Sequence, residues 1–243
     1  MKGGKKYYYD GIDAAAKNIA AEYSHDRAVT VLVLREIIGL YESAKIEQSY
    51  KDDFFETAYH SPITGELEFF VARILYHLSN IYNKRWKILL RRQEGKTAPD
   101  IRLVKDGKTF AIIEIKAKAG WIQPFLSPER FQNDLIKLRD GKSSYDPVEL
   151  VKNSKNQLNK YFDQFGIENC DVFLLLPTMA LVHRKKYKTE LSGYYQYFAE
   201  TSGLPQKNLI LLSSNLELDL SYNIVDLNPT NDFEYLLTGL LKY

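Results

Sequence analysis

Cysteine is almost absent: Cys170 is the only one in 243 residues, which excludes an intrachain disulfide framework and any multi-cysteine zinc site. Histidine is nearly as scarce. His25, His60, His77 and His183 are scattered without ligand spacing, which argues against a histidine-built metal centre and leaves oxygen ligands as the option. No apolar run approaches the roughly 18–20 residues of a membrane span. The start MKGGKKYYYDG lacks the apolar core and small-residue cleavage site of a signal peptide. The expectation is a cytoplasmic protein with no membrane partner. Charge of one sign is lacking too: 33 basic residues face 31 acidic ones for a net +2, which weakens a purely electrostatic nucleic-acid coat and leaves room for a localised groove.

What is present is ordinary for a globular chain, 45% hydrophobic and 26% charged, so the fold has to be read from pattern. The length suits one large domain, or a smaller one carrying a subdomain. The 18 tyrosines suit a surface that stacks on or hydrogen-bonds to a polar partner, though many will cap the core. Residues 1–10 read as a flexible basic and aromatic arm, 13–23 as a short helix, and 27–48 as a second helix with apolar residues three and four apart. These give a helical N-terminal subdomain over 1–64. The remainder, 65–243, reads as the core. The strongest helix is 65–82, where Leu67, Phe70, Val71, Ile74, Leu75 and Leu78 make one face. At 100° per residue Glu68 lies at the edge of that face beside Leu75, whereas Glu66 lies on the opposite flank near Arg73 and His77. Glu68 is therefore better placed to point into a cleft, with Glu66 as the alternative.

Strands are expected at 86–92, 101–104 and 110–117, then helices at 128–139 and 147–165. A buried strand at 172–176 follows, which 180–182 extends; then a helix at 194–201, a strand at 209–213 and a terminal helix at 233–241. Strands alternating with helices indicate an α/β fold with a sheet of mixed direction.

The informative stretch is TAPDIRLVKDGKTFAIIEIKAKAG, in which Asp100 follows Pro99 and Glu114-Ile115-Lys116 comes fourteen residues later. Charges embedded in so apolar a strand are costly to desolvate unless paired or metal-bound. Their relative placement depends on the turn. A two-residue Asp106-Gly107 loop closes Lys105 against Lys108 and puts Asp100 and Glu114 on opposite faces. A three-residue loop with Gly107 as a left-handed bulge closes Val104 against Lys108 and brings Asp100, Glu114 and Lys116 to one face. The odd-length loop, or another bulge of the same parity, is predicted.

On one face, Asp100, Glu114 and the carbonyl of Ile115 can supply the oxygen ligands that Mg²⁺ requires alongside its waters. Lys116 can then orient an attacking water or stabilise charge on a phosphoryl group. That set suits phosphodiester hydrolysis. The bland alternative is a surface charge ladder on an edge strand, with Asp100 a polar turn residue.

Pro99-Asp100 with Glu114-Ile115-Lys116 resembles the signature of the PD-(D/E)XK nuclease superfamily, and the element order from 65 to 213 is similar to its restriction-endonuclease-like fold. The resemblance implies that Asp100 and Glu114 bind Mg²⁺, for which Mn²⁺ substitutes. It also implies that Lys116 assists the attacking water and that Glu68 completes the site. Gln157 and Tyr161, one helical turn apart, are similar to the Q-x-x-x-Y motif of the recombination-exonuclease and type I restriction branches; they can touch substrate or order Lys116, or simply belong to an amphipathic helix. Lys118 is a phosphate contact or merely exposed. Basic clusters at 84–87, 91–92 and 184–188 are further phosphate contacts or solvated ends, and Asn153 and Asn156 are available for base reading. The implied activity is that of a type II restriction-like endonuclease on double-stranded DNA, acting as a homodimer. A structure-specific repair, recombination or phage-defence nuclease and a non-catalytic nucleic-acid-binding module are the alternatives.

Overall fold

In the computed structural model the described residues are 2–49, 63–116, 128–147, 149–166, 171–178, 204–214 and 227–243. Among them are six α-helices and five strands. The helices are α1 (Lys2–Ser24), α2 (Thr30–Ser49), α3 (Thr64–Ile81), α4 (Pro128–Arg139), α5 (Glu149–Phe165) and α6 (Asp232–Leu240). The strands are β1 (Lys87–Leu90), β2 (Ile101–Lys105), β3 (Lys108–Ile115), β4 (Asp171–Leu176) and β5 (Leu209–Leu211). The expected strand extension at 180–182, the helix at 194–201 and the basic cluster at 184–188 lie outside the described residues. No described helix is long and apolar enough to cross a membrane.

The sheet has strand order β1-β2-β3-β4-β5. β1, β2 and β3 pair antiparallel, while β3, β4 and β5 run parallel, the mixed α/β sheet expected. The sequence of the inner strands accounts for their place. Phe110–Ile115 and Val172–Leu176 are buried residue after residue, the continuous pattern of strands covered on both faces.

One face carries Ile101, Leu103, Ala111, Ile113 and Ile115 into a single core with α3, α6 and the N-terminal helices. Leu67, Phe70, Val71, Ile74, Leu75 and Leu78 of α3 are all buried there, each contributing roughly 1.5–3 kcal/mol over an exposed position. The N-terminal arm is a correction. Residues expected to be flexible form the first turns of α1, because Tyr9 packs edge-on against Phe69 at 4.9 Å between ring centroids and Ile12 is buried. Asp13 then holds Arg73 and His77 of α3. Glu234 of α6 accepts hydrogen bonds from the backbone N–H groups of Val29 and Thr30 at 2.7 and 2.8 Å. A carboxylate at a helix start satisfies otherwise orphaned donors and complements the helix dipole, so α2 and α6 are clasped together.

The opposite face is covered by α5, whose Tyr161 reaches Glu114 and whose Phe165 ring lies under the Arg102 guanidinium at 5.5 Å. Residues that reach both layers near the end of β3 therefore come from the sheet, from α3 and from α5.

Candidate active site

The turn between β2 and β3 decides whether Asp100 and Glu114 meet. Asp106 and Gly107 have φ of 49° and 77°, both left-handed, so they form the two-residue hairpin turn that Asp-Gly favours and close Lys105 against Lys108. The three-residue loop is not what forms. Parity is restored one step later: Val104 faces Thr109 but Leu103 faces Ala111, which makes Phe110 a bulge. Its ring is accommodated beside Trp86 and Tyr243, with centroids 5.7 and 4.8 Å away. Beyond the bulge Ile101 pairs with Ile113, so the next position outward sets Asp100 against Glu114 on one face.

Asp100 sits at the mouth of β2, half-buried, and its Oδ2 accepts a hydrogen bond from the backbone N–H of Ile115 at 2.8 Å. Both backbone groups of one residue in an extended strand point to the same side, so the Ile115 carbonyl also faces the Asp100 edge. Burial, then the negative charge of Glu114, pushes the Asp100 carboxyl up from its ordinary value to about 7; Glu68 pushes the same way, while the Ile115 N–H and Lys116 oppose it. Two carboxylates held close in a poorly solvated place favour a proton or a cation between them.

Glu114 is 2% exposed and both of its oxygens accept hydrogen bonds. Oε1 accepts from Lys116 Nζ and from Gln157 Nε2, the latter at 2.8 Å. Oε2 accepts from the Tyr161 hydroxyl at 2.8 Å. Gln157 Nε2 also donates to that hydroxyl at 2.8 Å. Gln157 and Tyr161 thus act through the glutamate, with Lys116 on the same carboxylate. Burial and the neighbouring Glu114 charge raise the Tyr161 hydroxyl pKa, which keeps it a donor. Lys116 is anchored at the strand end by its N–H to the Leu175 carbonyl at 3.0 Å.

Glu68 is the helix carboxylate that borders this site. It is 5% exposed and close enough to Asp100 to affect its ionisation, whereas Glu66 lies by Tyr8 of α1. Glu68 is not free: Arg91 Nε binds its Oε2, and Arg91 Nη2 donates to the Gly65 carbonyl at 2.7 Å. Arg91 reaches back because its own backbone is left-handed, φ 47°, and its N–H binds the Asp100 carbonyl at 2.9 Å. Reading residues 91–92 only as a basic cluster missed this partner. The left-handed arginine carries no sequence signal of the kind a glycine would. Lys84 of another expected basic cluster is tied to the Leu241 carbonyl, and Lys118 lies outside the described residues.

Neither a protein-family model, a curated protein nor a solved structure matches this chain.

The donor set fits a hard divalent cation. Among the described residues no three acidic, histidine or cysteine side chains converge as a ready-made cage, so an ion here would draw on Asp100, Glu114, the Ile115 carbonyl and several waters, which suits Mg²⁺. The placement of Asp100 and Glu114 on one face, with the Ile115 backbone between them, is the observation that supports the fit.

Replacing Tyr161 with Phe tests the support under Glu114. The loss of one hydroxyl leaves a buried carboxylate short of a donor, so the metal-free protein is expected to lose about 1–3 kcal/mol of stability at neutral pH. Urea unfolding measures it, and an unchanged midpoint at unchanged slope would show that the hydrogen bond carries no net weight.

Proposed function

We propose that this chain is a metal-dependent nuclease of the PD-(D/E)XK kind, hydrolysing phosphodiester bonds in double-stranded DNA in the manner of a type II restriction endonuclease. The observation that carries the reading is the Phe110 bulge, which sets Asp100 and Glu114 on one face with Lys116 on the same carboxylate. A charge ladder on an exposed edge does not account for a Glu114 that is 2% exposed, on an inner strand, with three side-chain donors on it.

When bound, Mg²⁺ supplies Lewis-acid polarisation of the phosphoryl group and a lowered pKa for water. Asp100 and Glu114 would hold it, with the Ile115 carbonyl and, on release from Arg91, Glu68 at the border. Tyr161 and Gln157 fix the Glu114 carboxylate so that its geometry does not have to be found during the reaction. Lys116 extends beyond the strand end, where its ammonium can turn from Glu114 to orient the attacking water and offset the charge that builds on the non-bridging oxygens. Attack by that water forms the new P–O bond as the bond to the leaving oxygen breaks. A homodimer would place two such sites on a two-fold symmetric target.

Purified protein incubated with unmodified genomic-length and plasmid DNA and Mg²⁺ or Mn²⁺ tests the reading. Discrete bands, lost on chelation and in Glu114→Ala, are expected. Smearing, or a preference for branched or single-stranded substrates, would turn the reading toward a repair, recombination or phage-defence nuclease. DNA binding without cutting in either metal would sink the enzyme reading.

A further inference from the structure

Gln157 and Tyr161, which hold Glu114, also line a cavity of about 370 Å³ together with Lys96, Thr97, Asn156 and Lys160. Its two walls come from different parts of the chain. One is the turn from Glu94 to Thr97 in the β1–β2 connection, closed by reciprocal backbone hydrogen bonds of 2.8 and 3.1 Å with Gly95 left-handed at φ 58°. The other is the strip of α5 on which Asn156 and Lys160 are one helical turn apart, alongside Gln157 and Tyr161.

The walls are fastened to each other. Gln164 of α5 donates to the Glu94 carbonyl at 2.6 Å and accepts from the Thr97 hydroxyl at 2.9 Å. A side chain at Gly95 would have its Cβ 3.2 Å from the Gln164 amide, which would have to shift by a few tenths of an ångström, and the left-handed φ adds backbone strain, so the close approach of the two walls favours glycine there. The acid in this turn does not neutralise the lysines. Glu94 is engaged by Arg102, and among the described residues Lys96 and Lys160 take part in no ion pair. Among the described residues the polar recess therefore presents two ammonium groups without an ion-pair partner and the Asn156 amide, and it shares Gln157 and Tyr161 with the carboxylate site.

We propose that this recess is a phosphate subsite, taking a phosphate of the nucleic-acid strand next to the one at Asp100 and Glu114, an inference that rests on the nuclease reading for the identity of the ligand. Lysine ammonium groups are point-charge phosphate partners, and the Asn156 amide can donate to its oxygens, whereas both Gln157 Nε2 donors are taken by Glu114 and Tyr161. The recess is of a size for one nucleotide unit. The phosphate can be internal to the strand or a terminal phosphomonoester, and both present the same oxygens.

The test measures binding of a labelled DNA duplex with Ca²⁺ in place of Mg²⁺ across a range of salt. For the Lys96→Ala/Lys160→Ala double variant the affinity is expected to fall about tenfold or more, and the dependence of log affinity on log salt to become shallower by about two. Lys96→Arg/Lys160→Arg restores both. Both lysines are exposed, and retention of the thermal shift caused by Mn²⁺ shows that fold and carboxylate pair are intact. Affinity and salt slope unchanged from the native protein in the alanine variant overturn the subsite, and if native protein still cuts with Mg²⁺ the nuclease reading stands without it. Lysine-dependent binding by a protein that never cuts with Mg²⁺ or Mn²⁺ sinks the nuclease reading and leaves the subsite standing. Linear duplexes with 5′-phosphate or 5′-hydroxyl ends and a covalently closed circle separate the two sources. Equal lysine dependence on all three supports an internal phosphate, and dependence confined to the phosphorylated end supports a terminal one.

Discussion

Replacing Asp100 with Asn is expected to stabilise the metal-free protein at pH 8 and to abolish its response to metal. The sign follows from the raised carboxyl. With its pKa moved from 3.8 to about 7, the folded protein keeps a proton that the unfolded chain has released. Stability therefore falls as pH rises between about 4 and 7 and stays reduced above that window. Asn removes the charge that burial and Glu114 penalise while its side-chain oxygen can still accept from the Ile115 N–H. A shift of about three units sets a ceiling near 4 kcal/mol, and a gain of roughly 1–3 kcal/mol at pH 8 is expected once the lost charge on that hydrogen bond and the lost attraction to Lys116 are allowed for. Native protein should be stabilised by millimolar Mn²⁺ or Mg²⁺, because an ion binding only the folded state shifts unfolding by mass action; Asp100→Asn should not. Chemical denaturation of both proteins from pH 4 to 8, with and without metal, decides it. A variant less stable than the native protein at pH 8, or one that keeps the metal response, would show that Asp100 and Glu114 are not a strained pair awaiting a cation.

The residues at this site were legible in the sequence to different degrees, for physical reasons. Asp100, Glu114 and Lys116 stand out because ionic groups in an apolar strand need a purpose, and helix geometry at 100° per residue favours Glu68 while leaving Glu66 as the alternative. The hairpin parity was legible only as a pair of alternatives. Asp106-Gly107 already satisfies the two-residue turn, and the extra residue went to Phe110, whose ring depends on Trp86 and Tyr243. Contacts so distant in sequence leave no local pattern. The same holds for the first turns of α1, which look solvated until Phe69 is seen to receive Tyr9. Gln157 and Tyr161 were visible as a spaced pair, yet their shared target was not, because only the packing of α5 on the sheet shows that both meet Glu114. Lys96 and Lys160 gave no signal individually. Their significance comes from Gln164 and Arg102, which close the recess and remove Glu94 as a neutralising partner.

Lys116 separates chemistry from assembly most sharply. Its ammonium rests on Glu114 Oε1 and its side chain is 29% exposed, so it reaches solvent at the strand end. On the nuclease reading, Lys116→Ala is expected to lower the single-turnover cleavage rate by about 10²–10³, the scale on which one transition-state charge partner is felt. DNA affinity in Ca²⁺ should change by no more than the loss of a single phosphate contact, with a salt slope shallower by about one at most. The thermal shift caused by Mn²⁺ should persist, because both carboxylates remain. Glu114→Gln should differ by losing the metal response along with cleavage. If cleavage survives Lys116→Ala at near-native rate, water must be oriented by another cation. If instead the metal shift disappears, the lysine serves to hold Glu114 rather than to act on the phosphoryl group. On the nuclease reading, a rate loss with metal binding intact is the expected outcome, since an ion held by Asp100 and Glu114 would displace the Lys116 ammonium from the Glu114 carboxylate.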